Sequence, residues 1–240
     1  MNIENEIESM AQELGLVSIG TAPISKYSGF PSGHHPCDYL PETITVITFA
    51  YPLNTTSILN LPKTRNQYTE EYDTVNQLLF QAAHQIARLL EKKGFSSLPI
   101  KPTAGVGDLT RLKSDFSHKH SAVQCGLGQF GLNNLLITPE HGPAVRLSSV
   151  LTTADISMDN SIGSNLCDSC ERCLKVCPSG ALNLYKDKFT PQTGRPMDKE
   201  KCSYYMQETL GGQSCGMCLK VCLRMSYKDD NTPRHLKPEV

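Results

Sequence analysis

Residues 167–178 have the sequence CDSCERCLKVCP, with the cysteine spacing C-x2-C-x2-C-x3-C followed by proline. This spacing is typical of half of a bacterial ferredoxin. In such a half, three thiolates, here Cys167, Cys170 and Cys173, hold one four-iron cluster, and the fourth, here Cys177, binds a different cluster. One stretch of this kind therefore predicts a second.

The second stretch begins at Cys202 and resumes after twelve residues with CGMCLKVC at residues 215–222. The x2 and x3 spacings are repeated at Cys215, Cys218 and Cys222, while the first cysteine lies farther upstream. Leu223 follows the last cysteine where the first stretch has a proline. All eight cysteines between residues 167 and 222 are therefore candidate iron–sulfur ligands.

In a two-cluster ferredoxin, the fourth cysteine of each half binds the cluster that the other half holds. This rule divides the eight ligands into two sets. The first predicted cluster is held by Cys167, Cys170, Cys173 and Cys222, and the second by Cys177, Cys202, Cys215 and Cys218. With four protein ligands each, both clusters are expected to carry electrons. Zinc is the alternative, but zinc ribbons explain only the C-x2-C pairs and neither the third cysteine nor the Cys-Pro step.

The composition fits a globular protein of one large or two smaller domains, with 240 residues, 39% hydrophobic residues and a net charge of −1. No apolar stretch approaches the ~20 residues of a membrane span, and the N-terminus is acidic, unlike a secretory signal. A cytoplasmic location and reduced thiols are expected. The near-neutral charge does not indicate a strong nucleic-acid binder.

The predicted domains are a body at residues 1–160, a two-cluster module at 161–226 and a tail at 227–240. Hydrophobic periodicity predicts helices at 3–14, 69–93 and 115–124, and strands at 17–22, 44–51, 135–138 and 144–152. Gly15 is expected to stop the first helix. The body is accordingly predicted to be an α+β sandwich.

Residues 126–131, GLGQFG, match the dinucleotide fingerprint G-x-G-x-x-G. A helical stretch precedes them and a strand follows, which is the reverse of the context that a Rossmann site requires. The glycines are expected to form a tight helix-to-strand turn, where the backbone approaches either the core or a large flat cofactor.

Taken together, these segments resemble the epoxyqueuosine reductase family, which is itself similar to the reductive dehalogenases. The resemblance spans ELGLV at 13–17, LP at 40–41, GLGQFG at 126–131 leading into LLIT at 135–138, and the cysteine stretches with CSYY at 202–205. The displaced Cys202 is the most specific of these features.

The resemblance implies a nitroreductase-like, cobalamin-binding sandwich with a C-terminal bacterial-ferredoxin-like 2[4Fe-4S] module. It implies that single electrons pass from a low-potential donor of the ferredoxin or flavodoxin type through both clusters to the cobalt. The residues expected to bind the corrinoid, beside the first cluster, are Gly126, Leu127, Gly128, Gly131 and Tyr72.

The family also carries an acidic proton donor in a segment upstream of the glycine turn. Asp108, Asp115 and the nearby His118 are the catalytic candidates at that position. Longer members add a helical-repeat domain for tRNA, whereas this sequence ends at Val240, soon after Cys222. A small-molecule substrate is therefore expected in preference to tRNA.

Two other functions fit the same sequence. The chain is alternatively an electron-transfer or activator protein that reduces a partner's corrinoid or other cofactor. It is also compatible with a flavin enzyme, because nitroreductase-like bodies bind FMN.

Overall fold

The computed structural model describes residues 2–102, 112, 114–158, 160, 162, 165–183 and 186–226. The chain forms two compact units, each assembled from separate segments of the sequence. The sheet unit comprises residues 1–53, 72–128 and 145–164, and the cysteine unit comprises residues 54–71, 129–144 and 165–240. Two segments of the predicted body, 54–71 and 129–144, thus belong with the cysteines.

The sheet unit is built on a four-stranded antiparallel sheet of order β1-β2-β6-β3. Its elements in chain order are α1 (Ile3–Glu13), β1 (Ser18–Pro23), β2 (Thr45–Pro52), α3 (Arg65–Lys92, from Tyr72 onward), β3 (Ser97–Ile100), α4 (His118–Gln124) and β6 (Val145–Thr152). Helix α4 packs against β1, β2 and β6.

The two central strands of this sheet, β2 and β6, are rich in β-branched residues and almost entirely buried. Continuous burial along a strand means that both of its faces are covered, so its residues do not alternate between apolar and polar. Their register pairs Thr48 with Ser149, which brings two buried hydroxyl groups together at the centre of the sheet. The predicted strands at 17–22, 44–51 and 144–152 are confirmed to within one residue.

The helices of the sheet unit follow the predicted periodicity but differ at their ends. Gly15, with a φ of +74°, stops α1 as predicted. Helix α3 begins at Arg65, four residues before the predicted start, and α4 begins at His118, three residues after it. The later start of α4 arises because the Ser117 side chain accepts a hydrogen bond from the His120 backbone and caps the helix.

Strand β3 is an element that the sequence did not predict. Its four residues, SLPI, include Pro99, which has no backbone N–H to donate. Proline is tolerated in strands mainly at sheet edges, and β3 lies at the edge of this sheet.

The cysteine unit consists of short elements. They are α2 (Thr55–Leu59), the first turns of α3 (to Glu71), the paired strands β4 (Gln129–Phe130) and β5 (Leu136–Ile137), α5 (Arg172–Val176), α6 (Lys199–Tyr204), a π-helical turn (Tyr205–Thr209) and α7 (Met217–Ser226). Helix α7 contacts both α2 and α5. The predicted strand at 135–138 is confirmed as β5, which pairs with β4 and not with the four-stranded sheet.

The predicted combination of helices with antiparallel strands is confirmed. The sandwich arrangement and the ferredoxin-like character of the cysteine unit stay predictions. Among the described residues, no helix is both long enough and apolar enough to cross a bilayer.

Candidate metal centre

Helices α5 and α7 carry three of the eight clustered cysteines. Cys173 lies on α5, while Cys218 and Cys222 lie four residues apart on α7 and so share one side of that helix. Because α5 and α7 pack together, cysteines from both sequence stretches meet in one region of the cysteine unit.

The loop before α5 is tightly wound. Ser169 and Glu171, which alternate with the cysteines, have φ angles of +55° and +57°. These left-handed conformations cost non-glycine residues about 1–3 kcal/mol each and are concentrated at functional sites. The Asp168 carboxylate supports the loop by accepting a hydrogen bond from the Cys170 backbone N–H at 3.1 Å.

Several of the cysteines form part of a small apolar core. Its buried members are Leu132, Cys173, Leu174 and Leu182, and Cys167, Cys177, Cys218, Phe189, Met197 and Val221 pack against them. Four of the eight predicted ligands therefore share one environment from which water is largely excluded.

The thiols of the first predicted set act on one another electrostatically. Burial, followed by the neighbouring Cys167 and Cys170, raises the pKa of Cys173 to about 11. Burial together with Cys167, Cys173 and Cys170 raises the pKa of Cys222 to about 12. Cys173 and Cys222 thus both lie near Cys167 and Cys170, the other two members of the first set.

The second predicted set shows the same behaviour. Burial and then Cys215 and Cys177 raise the pKa of Cys202. Burial raises the pKa of Cys218 to about 12, with contributions from Cys215, Cys202 and Cys177 and a smaller one from Cys173. Thiols that oppose one another's ionisation become thiolates readily only beside a cation, so both sets fit metal clusters.

Within the described residues, no three cysteine, histidine, aspartate or glutamate side chains are placed to hold a single metal ion. All the ligands of a zinc site bind one ion, whereas each thiolate of a four-iron cluster binds a different iron and lies farther from the others.

The loop that carries Cys215 is held by the start of helix α3. The Arg65 guanidinium donates to the carbonyl oxygens of Ser214 and Cys215 at 2.9 and 2.8 Å, and Thr69 Oγ1 accepts from the Ser214 N–H at 3.1 Å. A Cβ atom at Gly216 would lie 2.6 Å from the Tyr68 ring, so only glycine fits there. Arg65 and Thr69 are about 150 residues from Ser214 and Cys215 in the sequence, so no sequence pattern links them to the cysteines.

Arg195 is a second residue that sequence reasoning missed. It is only 4% exposed, and its Nε donates to the Leu132 carbonyl oxygen at 2.9 Å while its Nη2 donates to that of Leu182. Its charge acts favourably on Cys173 and Cys177, one from each predicted set. A buried cation beside two thiols offsets the negative charge that cluster ligands carry.

The catalytic candidates lie in different environments. Asp108 falls outside the described residues. Asp115 is exposed, and its backbone carbonyl accepts a hydrogen bond from His34 Nδ1 at 2.7 Å. Of the two described candidates, Asp115 has an exposed side chain and His118 is buried.

His118 lies inside the sheet unit, where both ring nitrogens are engaged. Nδ1 is hydrogen-bonded to Ser149 Oγ and Nε2 to the Lys101 carbonyl oxygen, each at 2.9 Å. Burial lowers the pKa of His118 to about 4, against the opposing effect of the Lys101 hydrogen bond. These contacts give the imidazole a structural role as a neutral group.

Packing within the protein accounts for two of the residues expected to bind the corrinoid, Gly126 and Gly131. Gly126 has a φ of +71°, and a Cβ there would lie 2.5 Å from the Asn160 carbonyl oxygen, so this turn approaches protein backbone. At Gly131 a Cβ would lie 2.6 Å from Ile137. Tyr72 has the Arg146 guanidinium 3.8 Å above its ring. The predicted helix-to-strand turn is confirmed. The contacts at Gly126 and Gly131 require glycine whether or not a cofactor binds.

No protein-family model matches the chain. Among curated proteins, it is 36% identical over 112 residues to a tetrachloroethene reductive dehalogenase of Sulfurospirillum multivorans, covering 42% of this chain and 22% of that protein. It is 38% identical over 126 residues to an epoxyqueuosine reductase of Listeria monocytogenes, covering 49% and 32%. The matched segments thus span about a quarter to a third of these relatives.

Two solved structures share the fold. A reductive dehalogenase with B12-dependent activity superposes with a TM-score of 0.73 at 18% identity, covering 96% of this chain and 33% of that one. The epoxyqueuosine reductase of Bacillus subtilis superposes with a TM-score of 0.64 at 20% identity, covering 99% and 69%. The resemblance predicted from the sequence is confirmed for both groups of proteins.

Proposed function

We propose that this chain, a homologue of epoxyqueuosine reductases and reductive dehalogenases, is an iron–sulfur reductase with two [4Fe-4S] clusters. The observation that carries the proposal is the grouping of its thiols: Cys173 and Cys222 interact mainly with one set of cysteines, and Cys202 and Cys218 mainly with the other. These are the two sets that the ligand-crossing rule assigns.

The chain's own residues prepare the site for one-electron chemistry, which is what such clusters supply when bound. The apolar core shields Cys173 from water, and Arg65 fixes the backbone at Cys215 by donating to the carbonyl oxygens of Ser214 and Cys215. Arg195 supplies a buried positive charge, and a positive charge near a cluster raises its reduction potential.

Cobalamin is the proposed second cofactor, with reduction of the substrate at its low-valent cobalt as the proposed chemistry. Because Gly126 and Gly131 are accounted for by packing against the protein, the support for this part comes from the relatives, one of which is a B12-dependent dehalogenase. Asp108 and Asp115 stay the proposed proton donors.

The proposed substrate is a small molecule rather than tRNA, and the proposed donor is a ferredoxin or flavodoxin. Reductive dehalogenation of tetrachloroethene is named for one group of relatives and epoxyqueuosine reduction for the other. The chain has 23 basic and 24 acidic residues, so it lacks the broad positive charge that nucleic-acid binding favours.

The test is anaerobic reconstitution with iron and sulfide, followed by addition of cobalamin and a chemical reductant. We expect two four-iron clusters per chain, cobalamin that stays bound through gel filtration, and a cob(II)alamin EPR signal without axial nitrogen splitting. Two clusters without retained cobalamin would overturn the corrinoid part. That result would favour the electron-transfer or activator function, to be tested by reduction of a partner's cofactor.

A further inference from the structure

Asn133 occupies the turn between β4 and β5 and is only 4% exposed. Its Oδ1 accepts a hydrogen bond from the Leu135 backbone N–H at 3.1 Å. A backbone N–H can only donate, so this contact fixes which end of the amide is oxygen and which is nitrogen. The Nδ2 group must therefore point away from Leu135.

That Nδ2 group is buried and has no hydrogen-bond partner in the part of the chain that the structure describes. Buried donors without acceptors are rare in folded proteins because they lose their hydrogen bonds to water. The adjacent Leu132 belongs to the apolar core that contains Cys173 and against which Cys167, Cys177 and Cys218 pack, and the Asn133 amide lies near the Cys222 thiol. The unpaired donor is thus close to a predicted ligand of the first cluster.

The turn is shaped around this side chain. At Gly131, an added Cβ would lie 2.7 Å from Asn133 Oδ1, so any larger residue would displace the amide. The backbone at Leu135 and the space at Gly131 together hold Asn133 in one orientation. A side chain held this firmly, with its donor unsatisfied, indicates that its acceptor is a group bound at the cysteines.

We propose that Asn133 is a positioning residue whose Nδ2–H donates a hydrogen bond to the Cys222 sulfur or an adjacent sulfide of the first cluster. This inference rests on the proposed iron–sulfur function. A reduced cluster carries one more negative charge than an oxidised one, so a donor stabilises the reduced form more strongly and raises the reduction potential.

The test compares reduction potentials of the reconstituted full-length protein, measured by EPR-monitored titration. The Asn133→Leu variant keeps a similar side-chain shape and removes the donor. We expect its first cluster to become harder to reduce by about tenfold in the one-electron equilibrium, which corresponds to ~59 mV, with the second cluster unchanged. Pulsed EPR should show the loss of an exchangeable proton coupled to the first cluster.

Two further variants make the comparison specific. Asn133→Asp keeps the acceptor for the Leu135 N–H and replaces only the donor, so it should also lower the potential of the first cluster. Asn60→Leu alters an exposed asparagine of the same unit that donates to the Thr56 carbonyl oxygen, and it should leave both potentials unchanged. A Cys222→Ser variant identifies the signal of the first cluster.

Assembled clusters with unchanged potentials in both Asn133 variants would overturn this inference and leave the proposed function intact. Equal shifts of both clusters, or loss of the first cluster in both variants, would also overturn it, since the role would then be purely structural. Failure of the unaltered protein to assemble any cluster would overturn the proposed function and this inference together.

Discussion

Both compact units bury cysteine, but they surround it differently. In the sheet unit, Cys125 is 2% exposed and its Sγ donates to the Val46 carbonyl oxygen at 3.6 Å. Burial raises its pKa, and its polar neighbours partly offset that effect. In the cysteine unit, other thiols lie near Cys218 and Cys222 and raise the pKa of both beyond the effect of burial.

This difference separates a structural cysteine from a candidate ligand. A buried thiol that donates to a carbonyl oxygen is stable as a small neutral side chain. Several buried thiols packed against one another stay protonated without a metal, and a bound cation allows them to ionise together as ligands. Burial alone therefore does not identify a ligand, whereas the identity of the neighbours does.

The two units also differ in the hydrogen-bond partners of their buried polar groups. In the sheet unit, the Tyr27, Ser121, Thr48 and Ser149 hydroxyls form a continuous buried chain that ends at His118, with separations of 2.7–3.0 Å. These groups satisfy one another. In the cysteine unit, the Asn133 Nδ2 is left without a partner among the described residues. The described part of the sheet unit also holds one buried hydroxyl without a partner, Ser18 Oγ, so the contrast lies in the surroundings: Asn133 follows Leu132, which is packed among the predicted cluster ligands.

The largest expected effect comes from removing iron by anaerobic chelation. Because metal binding can supply on the order of 10 kcal/mol of folding free energy to a small unit, the cysteine unit should lose its structure. Hydrogen exchange should show α5 and α7 unprotected while β2 and β6 stay protected. Equal protection of all four elements with and without iron would contradict the comparison.

A matched pair of cysteine variants should separate the two kinds of thiol. Cys173→Ser removes a ligand of the first predicted cluster and should reduce the bound iron by about half. Cys125→Ser should keep the iron and lower the free energy of unfolding of the sheet unit by about 1 kcal/mol, since it changes only a hydrogen-bonded core residue. Iron analysis and thermal unfolding measure both effects, and iron loss from Cys125→Ser would break the distinction.

The stability of the sheet unit should depend on pH through His118. Folding lowers its pKa from ~6.5 to about 4, so the folded state favours the neutral ring. The resulting stability is present in full above about pH 6.5 and is lost as the pH falls toward 4, by up to ~3 kcal/mol. Denaturant unfolding measured across this range should show the loss.

The control for this prediction is a second histidine. His118→Gln should flatten the dependence on pH between 6.5 and 4, whereas the same change at His84, which is exposed on α3, should leave it unaltered. An unchanged profile in His118→Gln would show that other groups control the stability in this range.

A modest effect is also expected in the hydroxyl chain of the sheet unit. Thr48→Val keeps the side-chain shape and removes hydrogen bonds to Ser121 and Ser149, at a cost of about 1–3 kcal/mol in the free energy of unfolding. Iron content should not change. A Val variant as stable as the unaltered protein would show that the chain of hydroxyls does not stabilise the sheet unit.

The sequence predicted those elements whose own residues carry a strong pattern. Strand β2 begins with the β-branched run TVIT, β6 consists largely of Val, Leu, Ser and Thr, and α3 has an apolar face at helical spacing. All three predictions were confirmed. Strand β3 was missed because four residues with a central proline carry no such pattern. Its position depends on pairing with β6, which is a tertiary contact.

In the candidate site, too, only the residues that form a local sequence pattern could be predicted. Cysteine spacing predicts the eight ligands and their two sets, because short spacings are set by local geometry. The residues that support them, Arg65, Asn133 and Arg195, are single residues far from the cysteines in sequence. Only the folded chain brings them together, so no local pattern could have identified them.

The most direct test of the account is Mössbauer spectroscopy, with iron and acid-labile sulfide analysis, of protein prepared anaerobically with ⁵⁷Fe. Two clusters on eight cysteines predict about eight irons and eight sulfides per chain, all with the spectrum of [4Fe-4S] clusters. Zinc in place of iron, or a single cluster per chain, would contradict the assignment of the thiols to two ligand sets.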